Sequence, residues 1–214
     1  MNALIADAHT HHATTEGIVS ITPGETMQPD MLYSVGIHPW HVTEATPVLW
    51  QELQRMAAMP HTVAIGETGI DALRGGSADL QEEAFLRHIS LSESMSKPLV
   101  IHSVRSHQRI IELHRTLRPS QPWIFHGFRL KPSIASILTD EGIYLSLGAG
   151  FNPDTARVIP SDLLLAETDE ATVSIAEIAR AIGNARGESE MEILRTSARN
   201  LARIMRLYPT QNAK

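Results

Sequence analysis

Cysteine is absent from the 214 residues. Its absence rules out disulfides and thiolate metal sites together, so any metal chemistry falls to histidine nitrogen and carboxylate oxygen. Aromatic residues make up only 5% of the chain, and lysine and arginine (18) are outnumbered by aspartate and glutamate (24). The resulting formal net charge of −6 argues against a dedicated duplex-coating DNA binder, which presents a broad basic surface, although a local basic rim remains compatible with it. No apolar stretch approaches bilayer length, and the N-terminus passes from Leu4 into polar Asp7 and His9 without a basic region or cleavage site. These absences predict a soluble, cytoplasmic protein with no membrane association. No feature names a protein partner.

Apolar residues, at 43%, are sufficient for one sizeable core, and neither an internal repeat nor a Gly/Ser-rich linker interrupts the chain. One domain spanning 1–214 is therefore expected. From Val63 onward, short apolar strand-like runs alternate with amphipathic helical ones, the pattern of a parallel sheet with helical crossovers. Strands are expected at Thr62–Gly66, Leu99–Ile101, Trp123–Phe125, Ile143–Leu147 and Leu163–Ala166. Helices are expected at Asp79–Met95, His107–Leu117, Ser133–Glu141, Ile175–Ala185 and Ser189–Leu207, with a capping box from Ser174 and Glu177, Pro132 in a first turn and Gly142 as a C-terminal stop. In the first third, Leu4–Ala8, Ile18–Ile21 and Leu32–Ile37 read as strands, but the joining segments are too short and Pro-rich for full helices. The fold class is thus α/β, a (β/α)8 TIM-like barrel that is distorted or partly open on that side.

Nearly every predicted strand ends in a metal-ligand type of residue, and strand C-termini are where barrel enzymes place their active sites. His9 and His11 lie two apart on an extended segment and share a face, together with Asp7 and Ile5. The fourth strand runs into Glu67, the fifth into His102, the sixth into His126 and the eighth into Asp169. Imidazoles mixed with hard carboxylate oxygens suit Mg, Mn or Zn. Six such side chains exceed the needs of one tetrahedral ion, which favours two divalent ions bridged by a carboxylate, with Glu67 as the bridge. Asp169 reads as a ligand with a proton-transfer role.

The segments Asp7-Ala-His-Thr-His11, Gly36-Ile-His-Pro39, Ile65-Gly-Glu-Thr-Gly-Ile-Asp71, Pro98-Leu-Val-Ile-His102, His126-Gly-Phe128 and Glu167-Thr-Asp169 occur in an order and strand placement that resemble the successive signatures of the TatD deoxyribonuclease family. Thr196-Ser-Ala-Arg-Asn200 resembles its closing helix, so the likeness spans essentially the whole chain. The resemblance implies an amidohydrolase-like barrel that cleaves DNA phosphodiester bonds in a 3'-5' exonuclease-like manner. It also implies that His9, His11, Glu67 and Asp169 hold one ion, that Glu67, His102 and His126 hold the second, and that His38 lies near the scissile phosphate. Glu67, Asp169 and His38 are then the catalytic residues. A site at a barrel mouth further predicts single-stranded DNA ends as the substrate.

The chain departs from the family pattern in places. Its early region is short, Val104 precedes Arg105 where the basic residue commonly comes sooner, Arg129-Leu130 follows His126-Gly-Phe128, and Glu170-Ala171 follows Asp169. None of these changes removes a ligand, but they alter the rim. Arg105, Arg129 and Lys131 read either as phosphate clamps or as solvated loop charge, with Lys131 fitting the latter best. Trp40 reads as a base-stacking platform or as mouth packing, and Asp7 as an orienter of a ligand histidine or a strand-end hydrogen-bond acceptor. Glu167 shares a strand face with Asp169 and is left without a role. His12, His41, His61, His88, His107 and His114 fall in loop or helix patterns and carry no assigned chemistry. The same ligand set would also serve a hydrolase of small phosphoesters, amides, esters or aminoacyl-nucleotides, or a non-catalytic metal-binding scaffold.

Overall fold

The structure, a computed structural model, describes residues 4–205. Eight parallel strands close into a barrel in sequence order: β1 (Asp7–Thr10), β2 (Gly17–Ile21), β3 (Leu32–Val35), β4 (Thr62–Asp71), β5 (Leu99–Val104), β6 (Trp123–Phe125), β7 (Tyr144–Leu147) and β8 (Leu164–Ala166). A 3-10 turn (Pro39–Glu44) and α1 (Pro47–Ala57) follow β3. After β4 come α2 (Ala78–Met95), then α3 (His107–Leu117), α4 (Pro132–Asp140) and α5 (Pro153–Val158) in the successive crossovers, and α6 (Ile175–Arg186) and α7 (Glu190–Ile204) after β8. No helix of the described residues is long and apolar enough to cross a membrane.

The (β/α)8 architecture forms as expected, and its distortion lies where it was read: no helix joins β1 to β2 or β2 to β3. The barrel is nevertheless closed, because β1 pairs with β2 on one side and with β8 on the other. Strand length explains how. A four-residue strand is only ~13 Å long, and the six residues between Thr10 and Gly17 can reach ~20 Å, so the chain returns to a parallel start without a helix.

Two helices were not anticipated. In α1 the Thr46 side chain caps the Leu49 amide, Pro47 occupies the first turn, and Trp50, Leu53, Met56 and Ala57 form the buried stripe. In α5, capped by Asn152, only Thr155 and Ala156 are buried, too few to produce a periodic signal. The first strand starts at Asp7 instead of Leu4, and β4 runs on past Gly66 to Asp71. The predicted end of the last helix at Leu207 lies outside the described residues.

Two residues before each of His102, His126 and Glu167 stands an apolar residue of the same face: Val100, Ile124 and Leu165. With Ala8, Ile18, Ala64, Leu201 and Ile204 they form one buried cluster, which fills the barrel beneath the polar mouth. The β1–β8 seam is fastened from α7. The Ser197 hydroxyl donates to the Ala6 carbonyl (2.6 Å) and accepts the Ala166 N–H (3.0 Å), while Asn200 Nδ2 donates to the carbonyls of Ser161 and Leu164 (both 2.8 Å). Ser197→Ala strands a buried N–H and a buried C=O at that seam, and a loss of roughly 1–3 kcal/mol in urea unfolding is expected.

His88 on α2, fully buried, accepts the Ile37 N–H at Nε2 (3.0 Å) and places Nδ1 2.7 Å from the Ala84 carbonyl. It thereby pins the chain just after β3, one residue before His38. Burial pushes its imidazole from a usual 6.5 down to about 4, so the folded state requires the neutral ring. The stability this neutral ring supports is complete above pH 6.5 and drains away as pH falls towards 4, by at most about 3 kcal/mol. The fall in unfolding free energy over that window is expected to be shallower in His88→Asn than in the parent protein; parallel pH profiles would refute the assignment.

Candidate metal centre

Glu67 organises the mouth of the barrel. Three residues of β4 advance against two of β5 between the pairs Ile65↔Leu99 and Thr68↔Ile101, a bulge of the kind that re-aims a side chain. The flanking glycines permit it. Gly66 (φ +127°) and Gly69 (φ +145°) hold backbone conformations disfavoured for side-chain-bearing residues, and a Cβ on either would run into β5, at the carbonyls of Val100 and His102 respectively. The bulge sends the Glu67 carboxylate, 5% exposed, into the site.

Its two oxygens face different histidines. Oε1 lies 2.7 Å from His126 Nε2, 2.8 Å from His102 Nδ1 and 3.2 Å from His38 Nε2. Oε2 lies 3.3 Å from His9 Nε2 and 3.5 Å from His11 Nε2. Asp169 Oδ1 completes the second group, 3.8 Å from His9 Nε2 and 3.7 Å from His11 Nε2. Asp169 is itself locked to β1: its N–H donates to the His9 carbonyl (2.9 Å) and its carbonyl accepts the His11 N–H (3.1 Å), which holds a non-glycine residue at φ +55°.

Burial drives the Glu67 carboxyl upward, but His126, His102 and His11 more than offset it and hold the group well below the usual carboxylate range. His126 responds reciprocally. Burial opposes its charge, yet Glu67 and Glu167 raise its imidazole well above the usual value. The hydrogen bond to Glu67 raises His11 as well, whereas burial lowers His38.

All six predicted ligands, His9, His11, Glu67, His102, His126 and Asp169, reach this one mouth, and His38 joins them. Ligand atoms of His9, His11 and Glu67, of His9, His126 and Asp169, and of His38, Glu67 and His102 each lie within 4.8 Å of one another. Neither ring nitrogen of buried His9 has a hydrogen-bond partner, the condition of an imidazole built to meet a cation. The donor chemistry therefore fits divalent ions.

Arg105 and Arg129 stand exposed on the loops after β5 and β6, and neither lines the cavity. That cavity, of about 340 Å³, is lined by His11, Ser20, Glu25, His38, Trp40, His41, Glu67, His102, His126, Asp169 and Glu170 among others, and by no lysine or arginine of the described residues. Asp7 does not join His9 and His11. The register of β1 shifts between Asp7 and Thr10, and the Asp7 carboxylate instead accepts the Thr168 N–H (3.0 Å) and hydroxyl (2.6 Å), with burial pushing it up to about 7. Glu167 and Asp71 had no role in the sequence reading, and Trp40 was read as a stacking platform or as mouth packing; their contacts are now defined. Glu167, fully buried, accepts the Gly127 N–H (2.5 Å) and sits 3.6 Å from His126 Nδ1; Asp71 faces His102 Nε2 at 3.2 Å; and Trp40 donates its indole N–H to Asp71 (2.6 Å) with the Arg74 guanidinium over its ring. For Asp71 and Glu167 the signal was available: each shares strand parity with a ligand, Glu67 or Asp169.

A family model described as TatD related DNase matches residues 9–206. A Mycobacterium tuberculosis protein described as an uncharacterized metal-dependent hydrolase TatD is 34% identical over 149 residues, covering 64% of this chain and 56% of the relative. An Erwinia tasmaniensis protein named 3'-5' ssDNA/RNA exonuclease TatD is 32% identical over 154 residues, covering 66% of this chain and 59% of the relative. The match thus takes in little more than half the length of these relatives. The crystal structure of a TatD homologue from Escherichia coli K12 shares the fold, with a TM-score of 0.77 at 20% identity over 90% of this chain and 86% of that one. From the family model and the strand-by-strand agreement of its signatures, the chain belongs to the TatD-related DNase family.

Proposed function

We propose that this protein hydrolyses DNA phosphodiester bonds at single-stranded ends, in a 3'-5' exonuclease-like manner, using two divalent ions (Mg, Mn or Zn). The observation that carries this reading is the division of Glu67, whose two carboxylate oxygens serve two separate histidine groups. His9, His11, Asp169 and Glu67 would hold one ion, and Glu67, His102 and His126 would hold the other. When bound, such a pair supplies Lewis-acid charge to a phosphoryl centre and acidifies water at neutral pH. The Asp169 carboxylate, 25% exposed beside this set, is the group placed to take the proton of the attacking water. His38 Nε2 points into the same space and serves the scissile phosphate. Arg105 and Arg129 engage neighbouring phosphates on the rim as guanidinium forks. The exonuclease name of the Erwinia relative supports the choice of substrate.

A second reading is favoured by the cavity wall, where Glu25 and Glu170 face the solvent side without a cation among the described residues. Such a wall suits a small phosphoester, ester, amide or aminoacyl-nucleotide better than a polyanion.

End-labelled single-stranded DNA incubated with metal-stripped protein resupplied with Mg, Mn or Zn separates these readings. A ladder from one end is expected, with Glu67→Gln reducing the rate by more than roughly 100-fold, the upper range for residues that only support a ligand. No cleavage by folded, metal-loaded protein would transfer the assignment to the small-substrate reading, and no metal-dependent turnover of any ester would leave only a metal-binding scaffold. Arg129→Ala is expected to slow DNA cleavage more than hydrolysis of a small chromogenic phosphodiester; equal losses on the two substrates would remove the rim from the binding site.

A further inference from the structure

Asp71 makes more contacts than any strand-end hydrogen bond requires. It is 3% exposed at the last position of β4. Its Oδ1 accepts the amides of Leu73 (2.8 Å) and Arg74 (3.1 Å), fixing the carboxylate at the head of the following loop. Its own N–H donates to Gln81 Oε1 (2.7 Å), and Gln81 Nε2 donates to the carbonyls of Asp71, Arg74 and Gly76, so the loop is clamped from α2. The other oxygen, Oδ2, is turned towards the site. It takes the indole N–H of Trp40 (2.6 Å) and lies 3.2 Å from His102 Nε2.

Proton bookkeeping follows from these contacts. An ionised carboxylate only accepts, so Asp71 calls for a proton on His102 Nε2; Glu67, 2.8 Å from Nδ1, competes for one, and a cation held by Glu67 would remove that competition and leave Nδ1 its lone pair. Trp40, held by the same oxygen, donates its backbone N–H to His38 Nδ1 (3.2 Å). A neutral His38 that accepts at Nδ1 must carry its proton on Nε2, the atom that faces Glu67 at 3.2 Å and His102 Nδ1 at 3.3 Å. With a cation at Glu67 the two neighbouring imidazoles would present opposite faces to the site, a lone pair from His102 and an N–H from His38.

We propose that Asp71 is the positioning residue that sets this pair: it makes His102 a ligand through Nδ1 directly, and through Trp40 it makes His38 a hydrogen-bond donor instead of a third imidazole ligand. The proposal rests on the metal-centre reading and refines it, since His38 lies within ligand range of Glu67 and His102 by distance alone. In Asp71→Asn an amide N–H can face His102 Nε2, which forces the proton onto Nδ1 and removes the lone pair from the site. In Trp40→Phe the indole tie is lost while the Asp71–His102 contact stays.

The test is imidazole 15N NMR of metal-free protein, read together with calorimetric titration of Zn. Asp71→Asn is expected to move His102 towards the Nδ1-protonated form and to weaken one of two Zn binding events by roughly 10- to 100-fold, the range for partners of a ligating histidine. Trp40→Phe is expected to keep both Zn events and the His102 tautomer while His38 passes into a mixture of tautomers. Unchanged His102 tautomer and Zn binding in folded Asp71→Asn would overturn the proposal. Should that variant not fold, an unchanged His38 in Trp40→Phe would overturn the link to His38. Neither readout requires turnover, so a parent protein that binds Zn but cleaves no DNA would defeat the proposed function and leave this inference standing.

Discussion

A carboxylate taken out of water has to be met by positive charge or by several donors, and Glu67 is the place where this molecule satisfies that demand. Five imidazoles, from His9, His11, His38, His102 and His126, point nitrogen at its two oxygens. They arrive from β1, β5 and the loops after β1, β3 and β6, so one side chain fixes how the strand ends must be disposed around the mouth. The apolar cluster beneath supplies the burial, and the bulge bracketed by Gly66 and Gly69 supplies the aim. Removing either leaves the same residues in sequence without the same site.

The partners of those imidazoles extend the arrangement outward. Each histidine of the Oε1 group has something behind it: Asp71 behind His102, Glu167 behind His126 and the Trp40 amide behind His38. In metal centres a carboxylate or carbonyl in that position orients the ring and settles which nitrogen faces inward. His88 does comparable work one layer further out, where its neutral ring receives the amide of Ile37.

Much of this was legible in the sequence because barrel strands put chemistry in a fixed place. An apolar run that stops at Glu67, His102 or His126 announces both the strand and a candidate ligand, and β6 and α3 fall within the boundaries read from the chain. What escaped did so for physical reasons. The closed seam depends on Ser197 and Thr168 reaching across more than 150 residues, contacts that no local pattern encodes. Period-two parity placed Asp7 with His9, but the irregularity in β1 breaks the count, and Asp7 turns to Thr168. The helix α1 was not anticipated, although Thr46 and Pro47 mark its start. Arg105 and Arg129 were read at the rim, and they stand on the expected loops but outside the cavity lining, whose acidic residues were not foreseen as a group.

The bond between the His9 carbonyl and the Asp169 amide has a consequence for the order in which the molecule comes into being. His9 and His11 are made some 160 positions before the carboxylate that completes their group and the strand that seats it. A growing chain therefore holds only scattered imidazoles, with no enclosed set able to trap an ion prematurely. A metal ion held by this set would therefore enter a finished barrel, drawn from whatever cations its surroundings then offer.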